Sequence, residues 1–288
     1  VQINRDGLTK DTTDVISQSD RLGWNCFDVD QEFITDKGVK SFRNFKNNEK
    51  IKVLSHDGTW QNAIVKNYGK GNLNKLTFSR GSNIFTVKCT SNHRWLLKNN
   101  KITDMIKIND ILIKQKNVFN FSYNNASFEE KLYWCYGFVY GDGEYNNKIS
   151  RVRLCGTDKK YENRFIEMGF KSSSSLSLKG DIICYTGKYN KKSPDPEIDS
   201  PNLIQAFVAG YLAADGTKNF NKKGKKYLRI QSSELDHIEF IRKCFPVAGV
   251  FIISEKDLTG QVTNFGVRPY TILFTINDCP EGSSTINT

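Results

Sequence analysis

Residues 137–143 read Gly-Phe-Val-Tyr-Gly-Asp-Gly, and residues 210–216 read Gly-Tyr-Leu-Ala-Ala-Asp-Gly. Both are apolar, helix-compatible runs with small residues four positions apart: Gly137 and Gly141, then Gly210 and Ala214. Residues at that spacing share one helix face, and small ones let two backbones approach closely. Each run ends in an acid followed by glycine, a common helix stop. The pattern predicts two helices packed side by side, each delivering one carboxylate, Asp142 and Asp215, to a shared site. One such run would be an ordinary buried helix ending in a turn. Two in matched contexts, 73 residues apart, point to an internal duplication.

The surroundings of the two runs repeat as well. After the first come strand-like Arg151-Val152-Arg153-Leu154, a helical stretch from Lys160 to Met168, and strand-like Ile182-Ile183-Cys184-Tyr185. After the second come strand-like Tyr227-Leu228-Arg229-Ile230 and an amphipathic helix from Leu235 to Phe245. Two carboxylates meeting at helix ends repel unless a cation lies between them. Mg²⁺ prefers oxygen ligands and commonly takes one or two carboxylates plus phosphate oxygens. A metal clamped on attacking and leaving oxygens is a route to phosphodiester hydrolysis.

Both runs resemble the LAGLIDADG motif of homing endonucleases, and Ala209 to Gly216 is the nearer match. The resemblance implies an α+β domain of two pseudo-twofold αββ halves, with the motif helices at their interface and the sheets on double-stranded DNA. It implies that Asp142 and Asp215 bind catalytic Mg²⁺, with Gly143 and Gly216 ending the helices beside the metal. Tyr136 and Tyr140 depart from the motif, and the 73-residue spacing implies a reduced first sheet. The basic stretch Lys218, Lys222, Lys223, Lys225, Lys226 and Arg229 suits phosphate contacts. Family members often place a lysine near the acids; Lys179, Lys188, Lys225 and Lys226 are the candidates here.

Residues 26–115 differ in character, with short β-rich runs broken by turn signals, as in an all-β domain. Cys26 opens this region, and Thr90-Ser91-Asn92-His93 follows a strand 64 to 67 positions later. This pairing resembles the Hint domain of inteins, which often host LAGLIDADG endonucleases. The implied fold is an all-β Hint horseshoe interrupted by the α+β endonuclease. The implied division is a flanking segment at 1–25, Hint at 26–117, endonuclease at 118–246, Hint again at 247–287, and a flanking residue at 288. The implied chemistry has the Cys26 thiol attack the Asn25 carbonyl, His93 transfer the proton, and Thr90 with nearby backbone N–H groups stabilise the oxyanion. Thr288 would then accept the acyl group and Asn287 would cyclise to cut the second junction, with no cofactor for splicing. Ile286 stands where the family has His, and Asp278–Cys279 is the alternative junction.

A net charge of +11 and a pI near 9.2 fit a polyanionic partner. A mean hydropathy of −0.52 and the absence of any apolar run of about 18–20 residues exclude a helical membrane span. Seven cysteines with no C-x-x-C pair argue against a disulfide framework or zinc ribbon, and fit a reducing, intracellular setting. The expected partners are double-stranded DNA and a covalently fused host protein, with the chain a monomer and no membrane. Two alternatives stay open: a splicing-impaired Hint relic acting only as a DNA endonuclease, and a non-catalytic, maturase-like nucleic-acid-binding protein.

Overall fold

The computed structural model describes residues 2–5, 26–80, 83–113, 119–146, 148–174, 180–193, 196, 200–220, 226–263 and 266–277. The chain divides into two compact units, Val1–Asn117 and Val118–Thr288. Among the described residues no helix is long and apolar enough to cross a membrane.

The first unit is all-β, as its turn-broken sequence predicts. Strands β1 (Gln2–Arg5), β2 (Glu32–Thr35), β3 (Gly38–Ser41), β4 (Lys50–Leu54) and β5 (Trp60–Lys66) form one sheet in the order β1-β5-β4-β2-β3. Residues 2–5, read from sequence as part of a flanking segment, thus pair with β5 of this unit. Strands β6 (Asn74–Arg80) and β7 (Asn83–Cys89) form a seven-pair hairpin, and β8 (Trp95–Leu96) pairs with β9 (Ile102–Thr103). An isolated bridge joins Phe27 to Cys89. Rings of Phe27, Phe33, Phe42, Phe78 and Trp95 pack around these elements.

The second unit is built on two helices, α1 (Phe128–Asp142) and, after a short α2 (Glu162–Glu167), α3 (Pro201–Asp215). Helix α1 starts where Ser127 and Glu130 form a capping box: the Ser127 N–H donates to Glu130 Oε2 at 2.7 Å, and the Glu130 N–H donates to Ser127 Oγ at 3.3 Å. Helix α3 starts with Pro201, whose missing N–H costs nothing in a first turn. Both helices stop at the glycine, but for a different reason from the one anticipated. Gly143 and Gly216 have negative φ and extended backbones, not the left-handed cap. What requires glycine is proximity: a Cβ would lie 2.4 Å from Val139 O at Gly143 and 2.3 Å from Leu212 O at Gly216.

The four-spaced small residues do place the helix backbones in contact. A Cβ on Gly137 would fall 1.9 Å from Phe207 O, and one on Gly210 would fall 1.9 Å from Trp134 O. The two clashes mirror each other, as an approximate twofold through the helix pair requires.

Each half is helix–hairpin–helix–hairpin. In the first, β10 (Gly143–Asn146), β11 (Ile149–Leu154), β12 (Lys171–Ser174) and β13 (Ile182–Tyr185) form a sheet in the order β10-β11-β13-β12. In the second, helix α4 (Leu235–Cys244) intervenes among β14 (Thr217–Phe220), β15 (Lys226–Ser232), β16 (Ile252–Asp257) and, after the small hairpin β17 (Val262–Thr263) and β18 (Gly266–Val267), β19 (Ile272–Asn277). Their order, β14-β15-β19-β16, repeats that of the first sheet.

Two sequence expectations change here. The first sheet is not reduced; it has the same four strands as the second. Residues 252–277 do not fall outside the α+β unit at a boundary near 246. They supply half of its second sheet, pairing Leu228 with Ile276 and Ile230 with Phe274. All four side chains are buried. The cause is the apolar face of β15, which needs β19 beside it to complete a core over α4.

Candidate functional site

Asp142 and Asp215 lie at matching ends of α1 and α3. The Asp215 carboxyl carbon is 3.5 Å from where a Gly141 Cβ would be, so the absence of a side chain at 141 brings the second acid up to the first helix. Burial, then the charge of Asp215, pushes the Asp142 carboxyl up to about 6, against the pull of Lys191 and Lys192.

Between the rings of Tyr140 and Tyr211 sits Lys192, from the connection that follows β13. Its Nζ donates to Asp215 Oδ2 at 2.8 Å and to the Tyr211 hydroxyl at 3.3 Å. It lies 4.5 Å from the Tyr211 ring centroid and 5.5 Å from that of Tyr140. Burial lowers the pKa of this ammonium, opposed by its ion pair with Asp215. Lys192 has a left-handed backbone, φ 56°, and its N–H donates to Tyr140 O at 3.0 Å. Tyr136, the other departure from the motif, packs its ring 4.4 Å from that of Tyr189 in the same connection. Thus both tyrosines fasten this connection to α1.

Sequence reading named other lysines. Lys188 is exposed, its Nζ 5.3 Å over the Tyr189 ring. Lys179 and Lys225 lie outside the described residues, as does the side chain of Lys226. The available signal was the Lys191-Lys192 pair, but nothing in it foretells a left-handed turn that aims one of them at Asp215.

A divalent cation fits the paired acids. Two carboxylates end adjacent helices, burial and the charge of Asp215 raise the pKa of Asp142, and each acid is followed directly by a glycine. Among the described residues no group of three or more His, Cys, Asp or Glu side chains could hold a metal. Asp142 and Asp215 would offer such an ion two carboxylates, the number Mg²⁺ commonly takes beside phosphate and water oxygens.

Each sheet has an apolar face and a polar one. On the first, Val152, Leu154 and Cys184 are buried. The alternate positions carry Arg151, Arg153, Ser173 and Tyr185. Arg151 Nε donates to Glu144 Oε1 at 2.7 Å, and Ser173 Oγ is 3.3 Å from the Tyr185 hydroxyl. On the second sheet Arg229, Gln231 and Thr275 alternate with buried Leu228, Ile230, Phe274 and Ile276. Of the predicted basic stretch, Lys218 and Lys226 are on β14 and β15, with side chains outside the described residues. Lys222, Lys223 and Lys225 lie outside them altogether. Arg151 and Arg153 alternate with buried Val152 and Leu154, the usual sign of a one-sided strand, and were not singled out in the sequence.

In the β-rich unit, Cys26, Thr90 and His93 do come together. The Cys26 N–H donates to Thr90 Oγ1 at 3.0 Å, and the Thr90 N–H donates to Cys26 O at 2.9 Å. Thr90 thus meets the nitrogen of the Asn25–Cys26 peptide through its hydroxyl. Its amide is engaged with the Cys26 carbonyl. His93 donates its N–H to Thr90 O at 3.1 Å, and its ring packs 4.0 Å from that of Phe27 and 4.9 Å from that of Trp95. Burial lowers its pKa to about 4, so the imidazole is neutral at pH 7, and among the described residues its buried Nδ1 meets no hydrogen-bond partner. Asn25, Asp278, Cys279, Asn287 and Thr288 lie outside the described residues.

No family model matches the chain, and no curated protein matches it. Among solved structures, the N-terminal LAGLIDADG domain of DUF199/WhiA is similar at 16% identity and a TM-score of 0.38, covering 60% of this chain and 89% of that one. Mesophilic variants of the homing endonuclease I-DmoI are similar at 12% identity and a TM-score of 0.34, covering 53% and 85%. I-DmoI in complex with DNA and Ca is similar at 10% identity and a TM-score of 0.35, covering 56% and 98%.

Proposed function

We propose that the second unit is a metal-dependent, LAGLIDADG-type DNA endonuclease and that the β-rich unit is a Hint-type self-processing domain. The observation that carries the first part is the matched pair of helix ends: two backbones in contact, one acid on each, in two halves of identical strand order. Asp142 and Asp215 would hold Mg²⁺ between them, and the ion would supply Lewis-acid polarisation of a phosphodiester and a lowered pKa for bound water. The polar faces of the two sheets, with Arg151, Arg153 and Arg229, track the DNA backbone and read base edges. Lys192 supplies positive charge beside Asp215, where negative charge builds on the phosphate. The structural similarity to DNA-bound endonucleases accords with this reading but adds no weight to it.

What supports processing is the contact at Cys26. In the proposed step, the Cys26 Sγ bonds to the Asn25 carbonyl carbon, the Asn25–Cys26 C–N bond breaks, and the released nitrogen gains the proton that the thiol gives up. Thr90 Oγ1 contacts that nitrogen in the resting state, and neutral His93 is able to carry the proton. Cyclisation at Asn287 with acyl transfer to Thr288 would complete splicing.

A second reading has cleavage at Cys26 without ligation. One observation favours it: strands 252–257 and 272–277, read from sequence as returning to the β-rich domain, are hydrogen-bonded into the second sheet of the α+β unit. Expression of the intact chain between two tags, followed by mass spectrometry, separates the two. Ligated tags establish splicing, a released N-terminal tag alone establishes cleavage, and an unprocessed chain in the presence of thiol removes both.

A further inference from the structure

Tyr140 occupies the place in the first run that Ala213 occupies in the second. The repeat therefore carries one bulky ring where its own partner has a methyl group. That ring is buried, edge-on to Tyr211 at 5.6 Å, and backed by Phe240 at 5.3 Å. Its backbone carbonyl anchors Lys192, and its face lies under the Lys192 ammonium together with that of Tyr211. Seven residues beyond β13 stands Lys192; seven beyond β19 stands Ser284, and residues 278–288 contain no lysine or arginine. The ring and the lysine thus occur in the same half of the duplication.

We infer that Tyr140 is a positioning residue whose ring, with that of Tyr211, seats the Lys192 ammonium on Asp215. A non-glycine residue at positive φ persists when its surroundings over-determine it. Here they do so through the Tyr140 carbonyl, two aromatic faces and the Asp215 carboxylate. Cations over tyrosine faces gain more when they are desolvated, and the Lys192 side chain is only 15% exposed. The inference rests on the reading that Asp142 and Asp215 bind a divalent metal. On that reading the seated ammonium competes with the metal for Asp215, so loosening the seat frees the carboxylate.

The test is Ca²⁺ affinity by titration calorimetry on the full chain without DNA, across a double-mutant cycle. Lys192→Met removes the competing cation and should tighten Ca²⁺ binding about tenfold, the worth of one charge-assisted hydrogen bond at a partly solvated site. Tyr140→Leu keeps apolar volume but removes the aromatic face, and should tighten binding about three- to fivefold. Tyr140→Phe keeps the face and should leave affinity within about twofold. The double variant Tyr140→Leu/Lys192→Met should bind no more tightly than Lys192→Met alone. Multiplicative effects, or Tyr140→Phe behaving like Tyr140→Leu, would overturn the inference. Should Tyr140→Leu fail to fold, Tyr140→Met crossed with Lys192→Met removes the same aromatic face with a more adaptable side chain, with the same non-multiplicative result expected. Asp215→Asn distinguishes the levels. If Ca²⁺ binding does not depend on Asp215, the metal reading fails and takes the inference with it. If it does depend on Asp215 while the cycle is multiplicative, the inference alone fails.

Discussion

Replacing Gly210 by alanine puts the helix interface to its sharpest test. The added methyl would lie 1.9 Å from Trp134 O, 2.8 Å from Trp134 C and 2.9 Å from Phe138 N, all backbone atoms. Non-bonded carbon and oxygen need more than 3 Å, so the helices must separate by about 1 Å, and no rotamer change can absorb it. Overpacking in a core costs about 1–3 kcal/mol when side chains can shift. With backbone as the obstacle the upper end applies, and separation also weakens dispersion along the interface. Against this, Gly→Ala in a helix interior contributes about 0.8–1.0 kcal/mol through helix propensity. The net is a destabilisation of about 2 kcal/mol. It should appear in urea unfolding as a lowered midpoint with unchanged slope. Gly137→Ala should match it, because its clash with Phe207 O is also 1.9 Å. Gly71→Ala, where a methyl meets nothing within 4 Å, should change stability by less than about 0.5 kcal/mol. A 1 Å shift of Asp215 relative to Asp142 should also cost about 10²-fold in any DNA cleavage rate. If Gly210→Ala were neutral or stabilising, the backbone-contact account of the helix pair would be wrong.

The remaining predictions concern the acids, the basic face and the thiol. Asp142 has its pKa raised in the folded chain, so it favours the protonated form there, and its contribution to stability is lost as pH rises from about 4 through about 6. Metal-free Asp142→Asn should therefore be more stable than the unaltered chain at pH 7.5 by about 2 kcal/mol, with the gap closing by pH 4 in thermal melts. Arg151→Ala combined with Arg153→Ala should weaken duplex DNA binding across sequences and reduce the salt slope by about 1–2, read by titration at several salt concentrations. Cys26→Ala should abolish thiol-induced release of an N-terminal tag; undiminished release on a gel would remove the cysteine from the chemistry.

Some of this was legible in the sequence because it is written locally. The two acids, the helix ends and the close-packed glycines follow from spacing alone. The all-β character of 26–113 follows from short runs between turn residues. The membership of β16 and β19 was not legible. Alternation marks a strand, but β19 joins this sheet by pairing with β15, which ends 40 residues before it, and β16 joins only through β19. Nor was Lys192 legible. Its role depends on a left-handed turn and on Tyr136 and Tyr140, which look like flaws in a motif until the chain folds back upon them.

The most direct measurement is the mapping of DNA ends. The intact chain would be incubated with Mg²⁺ and a plasmid library of random inserts, and the resulting termini sequenced. The proposed function requires double-strand breaks at one recurrent sequence, absent when either Asp142→Asn or Asp215→Asn is used. Breaks that persist in both variants, or no breaks with any DNA, would contradict the pairing of the two acids as a nuclease site.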